Sequence, residues 1–247
     1  MVLSLDRAAA DGIGEDAIVR LHDVIRVYRE VDVETIALRG IDLEIGAGSF
    51  VAIRGRSGSG KSTLLQLIAG SDRPTAGQVI VDGIDLSRAD EAVRAGIRGA
   101  HVGIVFQSEN LVPFLDLGEN VLLAGTLAGR PIDGATAAAA LARVGLAERI
   151  DHRPHQLSGG EQQRAALACV LASRPPILVA DEITGELDSA TGAMLLDLLA
   201  EIQLVEGMTV ILATHDPGVA RRADRVVELR DGRVVDDGRA TSAVAVG

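Results

Sequence analysis

Gly55-Arg56-Ser57-Gly58-Ser59-Gly60-Lys61-Ser62 decides the fold of this chain. The octet fits the pattern G-x-x-x-x-G-K-[ST], in which glycines let a loop curl so that its amide N–H groups face phosphate oxygens. Its neighbours fit as well: Phe50–Ile53 reads as a short buried strand and Leu64–Ala69 as helix. A helix N-terminus adds partial positive charge at the same place. The same letters would also suit an ordinary glycine-rich turn, but the context and one compositional fact favour phosphate. Lysine and arginine total 24, and Lys61 is the only lysine. A chain that has nearly abandoned lysine keeps one where a compact ammonium does what a planar guanidinium cannot. Lys61 is placed to reach β- and γ-phosphates, and the Ser62 hydroxyl to meet a magnesium ion. A guanine-reading Asn-Lys-x-Asp is excluded, because no second lysine exists.

Outward from the loop, Ala17–Val27 alternates apolar and polar residues like a half-buried strand, and Thr35–Ile45 reads as its partner. Gln78–Val81 and His101–Phe106 read as further strands. From about 107 to 172 alanine and leucine dominate, Thr136–Val144 is strongly helical, and the stretch reads as a helical insertion. Ile177–Ala180 and Thr209–Ala213 are continuous apolar runs of strand length, as in a parallel sheet buried on both faces, with helical Ala190–Gln203 between them. Arg225–Glu228 and Arg233–Asp236 flank Asp231-Gly232, a hairpin signal. No internal repeat is visible, so 18–238 is expected to be one domain between an N-terminal extension (1–17) and a C-terminal tail (239–247).

An acidic pair lies at the end of the Ile177 strand, where Asp181 and Glu182 follow the apolar run. Strand ends of such sheets are where ligands bind. Asp181 is suited to hold magnesium and Glu182 to polarise water; in isolation the pair would be a solvated strand end. Leu157-Ser158-Gly159-Gly160-Glu161-Gln162-Gln163-Arg164 carries a capping box, Ser158 with Glu161, at the start of a helix over Ala165–Ala172. The two glycines leave another set of helix-start amides open to an anion. By physics alone this is equally a well-capped helix.

This last run resembles the signature sequence of the ATP-binding-cassette family, and the remaining motifs follow in that family's order across about 18–238. Tyr28 resembles the aromatic residue that stacks on adenine, and Gln107 the glutamine that senses magnesium and faces a transmembrane partner. Gly185-Glu186-Leu187-Asp188 resembles the loop that crosses to a second subunit, and His215 the histidine at the γ-phosphate. The resemblance implies an α/β fold: a P-loop NTPase core with a mixed, mainly parallel sheet, an antiparallel β subdomain and an inserted α-helical subdomain. It implies ATP and Mg2+ as ligands. Catalysis then falls to Glu182, His215, Gln107 and Lys61, and magnesium to Ser62, Gln107 and Asp181. The nucleotide falls to Tyr28, Gly55, Ser57, Gly58, Ser59, Gly60, Lys61, Ser62 and Thr63, completed by Ser158, Gly159, Gly160 and Asp188. The implied partners are a second copy in a head-to-tail dimer and an integral membrane permease docked on the helical subdomain.

The wording is closest to the branch that serves lipoprotein-release, macrolide-efflux and cell-division complexes. Three positions depart from the usual pattern: Ile183 where proline usually follows the acid, Cys169 where arginine is common, and Glu186 for a frequent asparagine. Ile183 restores a backbone N–H and frees φ, so the geometry after Glu182 is expected to be looser. Competing readings are a cassette acting on ribosomes or DNA and a module that binds ATP without hydrolysing it. The net charge of -11 speaks against a nucleic-acid partner, and the intact Lys61, Asp181, Glu182 and His215 against a silent module. No apolar run is long enough to span a bilayer, no export signal opens the chain, and Cys169 is the sole cysteine. These features fit a reducing cytosol, and the resemblance implies attachment to the inner face of the cell membrane through the permease. His22, His101, His152 and His155 are expected to be structural or exposed.

Overall fold

The computed structural model describes residues 17–30, 33–107, 110–185 and 187–239. The expected extension, apart from Ala17, the expected tail, apart from Arg239, and the departure at Glu186 lie outside the described residues.

Two sheets form the body. A four-stranded antiparallel sheet has the order β2-β1-β4-β5 and comprises β1 (Ala17–Glu30), β2 (Val33–Gly46), β4 (Ala76–Val81) and β5 (Ile84–Asp85). A six-stranded sheet has the order β10-β9-β3-β8-β7-β6. It contains β3 (Phe50–Arg54), β6 (Val102–Val105), β7 (Ile177–Asp181), β8 (Thr209–Thr214), β9 (Arg225–Arg230) and β10 (Arg233–Arg239). Every pairing in it is parallel except β9 with β10. That last pair is the expected hairpin: Asp231 and Gly232 both hold positive φ, 51° and 73°, as a tight primed turn requires.

The central strands carry no alternation in the sequence because both of their faces are covered. Period-2 alternation returns in which core each residue enters. Phe50, Ala52, Leu178, Ala180, Val210 and Leu212 enter one cluster. Val51, Ile53, Ile177, Val179, Ile211 and Ala213 enter the other. The second cluster is closed by α1 (Lys61–Ile68), α2 (Glu91–Ala100) and the inner face of the antiparallel sheet. The first is closed by α3 (Leu117–Leu127), α4 (Gly134–Arg143), α5 (Gly159–Ser173) and α6 (Ser189–Glu206). Full burial of each such leucine or isoleucine contributes about 1.5–3 kcal/mol, so the apolar runs, not local propensity, hold the sheet together. A last short helix, α7 (Pro217–Ala220), is capped by Asp216 with Pro217 at its first position.

Two details differ from the sequence expectation. Helix α1 begins at Lys61 rather than Leu64, since the loop passes directly into the helix with Gly60 as its N-cap and no capping side chain. The insertion contains α3 as well as the helix expected near Thr136, and α3 is started by a full capping box, Asp116 with Glu119.

Candidate functional site

The parallel strands β3, β7 and β8 end side by side, and each delivers part of one site. β3 runs into the phosphate loop. Gly60 holds φ 103°, and a Cβ there would lie 2.7 Å from Ala37 O. A Cβ on Gly55 would meet Ser59 Oγ at 2.4 Å and Leu229 O at 2.5 Å. Both positions exclude any side chain, which is why the octet carries glycine there. The first turn of α1 has no side-chain cap, so its amides are left for an anion.

Lys61 is 5% exposed, and its ammonium has three acceptors: Gly55 O at 3.0 Å, Arg56 O at 3.2 Å and Glu182 Oε1 at 3.2 Å. The other carboxylate oxygen of Glu182 lies 3.0 Å from His215 Nδ1. Lysine, glutamate and histidine thus form one continuous chain across the ends of the three strands. Glu182 holds φ 49°, a left-handed conformation that costs an ordinary residue roughly 1–2 kcal/mol. Its N–H bonds Ala213 O at 3.0 Å. Ile183 behind it is buried in the first cluster.

Asp181, one residue earlier, has one carboxylate oxygen buried without a hydrogen-bond partner among the described residues. Burial pushes its carboxyl group above the usual carboxylate range, aided by the charge of Glu182 and opposed by a hydrogen bond from Ser62. A buried, unpartnered carboxylate oxygen beside a hydroxyl is a hard-oxygen donor pair, and it fits magnesium. No group of three or more His, Cys, Asp or Glu side chains among the described residues is gathered for a metal. The rest of its coordination would come from neutral oxygens, such as a side-chain amide, and from a bound phosphate.

Two cavities flank the phosphate loop, and the second opens onto Glu182 and His215. One, of about 620 Å³, is lined by Gly55, Ser57, Gly58, Ser59 and the β9–β10 turn. The other, of about 550 Å³, is lined by Arg56, Ser57, Glu182, His215 and Pro217. Arg56 lines both, a neighbour that the motif marked only as a variable position.

Ser158, Gly159, Gly160 and Asp188 gather elsewhere. They line a separate cavity of about 430 Å³ with Glu161, Arg164, Leu187 and Thr191. The expected capping box is formed: Ser158 Oγ accepts from Glu161 N at 3.3 Å, and Glu161 Oε2 accepts from Ser158 N at 2.9 Å. Asp188 caps α6 by accepting from Ala190 N and Thr191 N, each at 3.0 Å. The bond from the Thr191 hydroxyl, first among its contacts, holds its carboxyl group below the usual range. Within one chain the phosphate loop and these residues share no lining residue.

Gln107 is exposed, near the Gly185 loop. Its carbonyl accepts from the buried Gln163 Nε2 at 3.2 Å, as does Phe106 O at 2.9 Å. Gln163 therefore ties α5 to the strand end carrying Gln107, a link of 56 residues that spacing could not reveal. Tyr28 is half-buried on β1, remote in sequence from the phosphate loop and joined to it through the loop after α1. The four other histidines are peripheral: His22 meets Asp42, His101 meets Asp82, His152 meets Arg149, and His155 is exposed.

The family model described as ABC transporter matches residues 38–185, more than half of the chain. This chain belongs to the ABC transporter family. The cassette is 44% identical over 221 residues to the lipoprotein-releasing system ATP-binding protein LolD 1 of Rhodospirillum rubrum, covering 89% of this chain and 98% of that one. It is also 44% identical over 230 residues to the macrolide export ATP-binding/permease protein MacB of Hyphomonas neptunium. There it covers 92% of this chain but 36% of the relative, so it spans about a third of such relatives. Among solved structures, it resembles the ATP-binding cassette MJ0796, described as a dimer in a post-hydrolysis state bound to ADP and Pi. The TM-score is 0.85 at 39% identity, covering 90% of this chain and 98% of that one. The α/β P-loop architecture of the cassette agrees with this likeness.

Proposed function

We propose that this cassette hydrolyses ATP, works as a head-to-tail pair with two nucleotides in the joint, and drives an integral membrane permease. The observation that carries the proposal is the chain Lys61–Glu182–His215 at the mouth of the phosphate loop. In the resting geometry the Lys61 ammonium is held by two loop carbonyls and by Glu182. When β- and γ-phosphates enter, they replace the weaker carbonyl acceptors at Lys61 and free Glu182 from its ion pair. Glu182 then orients a water for in-line attack on the γ-phosphorus, while the bond to the leaving ADP oxygen breaks. His215, on the other oxygen of Glu182, keeps that carboxylate aimed and contacts the γ-phosphate. Ser62, Asp181 and Gln107 would hold magnesium, which when bound offsets phosphate charge. Adenine stacks on Tyr28.

The second copy follows from a deficit. The phosphate loop covers one side of the nucleotide, while Ser158, Gly159, Gly160 and Asp188 lie in a separate cavity with open helix-start amides. A head-to-tail partner brings that cavity over the γ-phosphate. The likeness to a dimeric cassette bound to ADP and Pi supports this arrangement.

The single domain over 18–238 then divides labour, with the helical subdomain of about 107–172 as the docking face for the permease. Phe114, 71% exposed, stands on its surface. The loop beneath is held by Asn120, whose side-chain oxygen accepts from Val112 N at 2.7 Å and whose amide donates to Asp116 O at 2.9 Å. No helix among the described residues is long and apolar enough to cross a membrane. In this reading a permease holds the cassette at the inner membrane face; the ATP-binding/permease name of the macrolide-export relative supports such a pairing.

Glu182→Gln tests the proposal. The variant keeps the side chain's shape and loses its charge, so ATP still binds while turnover falls about 100- to 10,000-fold. Wild-type turnover in that variant overturns the assignment.

A further inference from the structure

Tyr28 does not stand alone on β1. Arg26, two residues earlier, lays its guanidinium over the phenol ring, 4.4 Å from the centroid. Asp72 joins the two. A single oxygen, Oδ2, accepts from Arg26 Nε at 2.8 Å and from Tyr28 OH at 2.8 Å. The carboxylate and the guanidinium are both mostly buried, at 21% and 22% side-chain exposure. The segment that carries Asp72 is anchored at both ends. Ser71 N and Asp72 N both bond Gln66 O, at 2.9 and 3.2 Å, and Gln66 lies on α1, the helix that starts at the phosphate loop. Thr75 N bonds Ile25 O at 2.7 Å and Thr75 Oγ1 accepts from Val27 N at 3.0 Å, which fixes the far end to β1.

We infer that Asp72 is a positioning residue for the nucleotide: it sets the Tyr28 ring as a preoriented shelf at a fixed distance from the phosphate loop. The inference rests on the reading of Tyr28 as the adenine platform and adds the part that aims it. Tyr28 belongs to the antiparallel sheet and Lys61 to α1, which follows β3 of the core sheet, so their separation needs a strut between the two. Asp72 is that strut, hung from α1 and gripping the phenol. Arg26 fills one face of the ring and leaves the other for a base. Its charge also draws density from the ring, which favours an electron-rich purine on the opposite face. An aromatic shelf reads a π-face and no base edge, so ATP and GTP are served alike.

The chain has one tyrosine and no tryptophan, so ultraviolet-excited tyrosine emission reports Tyr28 alone. The experiment compares the full-length protein with Asp72→Ala and Asp72→Asn, measuring affinities for MgATP, MgGTP and magnesium tripolyphosphate together with Tyr28 anisotropy. In Asp72→Ala the anisotropy falls and both nucleotides bind about tenfold more weakly, because the ring loses its charge-assisted bond and the Arg26 above it loses another, so the ligand must order both. Tripolyphosphate, which has no base, binds within about twofold of wild type, and turnover at saturating ATP is unchanged. Asp72→Asn keeps an acceptor without its charge and loses about threefold. Unchanged nucleotide affinity in Asp72→Ala, or a parallel loss of tripolyphosphate affinity, overturns the inference. If Asp72→Ala does not fold, Asp72→Asn and Arg26→Gln carry the same comparison. Tyr28→Ala separates the two levels. If it binds ATP as wild type does, the platform reading itself fails; if it weakens ATP while Asp72→Ala does not, only the role of Asp72 falls.

Discussion

Replacing Lys61 by alanine removes the ammonium now shared by Gly55 O, Arg56 O and Glu182. Replacing Gly160 by aspartate acts at the other cavity. A Cβ there meets Thr191 Cγ2 at 3.2 Å and Leu187 Cδ2 at 3.4 Å, contacts that side-chain adjustment absorbs, so the fold survives. The new carboxylate enters a space already lined by Asp188 and Glu161. Set about 4 Å from an incoming phosphate at an effective dielectric constant near 20, it repels each unit of charge by roughly 4 kcal/mol, or about a thousandfold in occupancy. Each variant alone is therefore nearly inactive. In an equal mixture that exchanges freely, half of the dimers are mixed. Each mixed dimer pairs the intact phosphate loop of one chain with the intact Gly160 of the other in one joint, so activity returns towards about a quarter of wild type. Phosphate release is measured against mixing ratio, with exchange verified by subunits carrying distinct tags. A mixture that stays at the level of its parts although exchange is shown refutes the shared joint.

Asn120→Ala removes the two strong bonds to Val112 N and Asp116 O and should cost about 2 kcal/mol in urea unfolding; a loss under about 0.5 kcal/mol would show that the Phe114 loop holds itself. Phe114→Glu leaves the cassette's melting temperature nearly unchanged, within about 0.5 kcal/mol of stability, and abolishes stimulation of its ATPase by the permease. Unfolding in that variant would place Phe114 in the core instead. Burial pushes the Cys169 thiol up to about 12, so at pH 8 it stays protonated. Cys169 is half-buried, so iodoacetamide should label it far more slowly in the native protein than in urea, and equal rates by mass spectrometry would contradict the raised thiol.

What the sequence displayed was whatever is encoded locally. The octet at 55–62 names its own geometry, because Gly55 and Gly60 touch backbone that leaves no room for a Cβ. Ser158 and Glu161 are three residues apart, and a helix turn brings them together whatever surrounds it. Asp231-Gly232 specifies a turn by its tolerance of positive φ. The apolar runs announced parallel strands and the alanine-rich stretch a helical insertion, and both are present.

Other features depended on distant partners. The bond between Tyr28 and Asp72 spans 44 residues, and that between Gln163 and Phe106 spans 57. Neither the loop residues 70–75 nor Gln163 carries a local pattern that announces such a role. β5 is two residues long, too short to show a period, and α2 buries only Arg94 and Ile97, too little apolar surface for a clear helical stripe. The left-handed φ of Glu182 is visible only in the folded backbone. The substitution at Ile183 signalled freedom there without its direction, since a following proline would have restricted Glu182 and isoleucine does not.

Lys61 is also the only side-chain amine in the chain. Any reagent that seeks lysine, whether an acylating label, an aldehyde or an acetyl donor, therefore finds a single side-chain target, and that target lies at the mouth of the phosphate loop. Labelling stoichiometry becomes a direct count of accessible sites, and nucleotide should protect against it. Immobilisation through lysine would blind the protein.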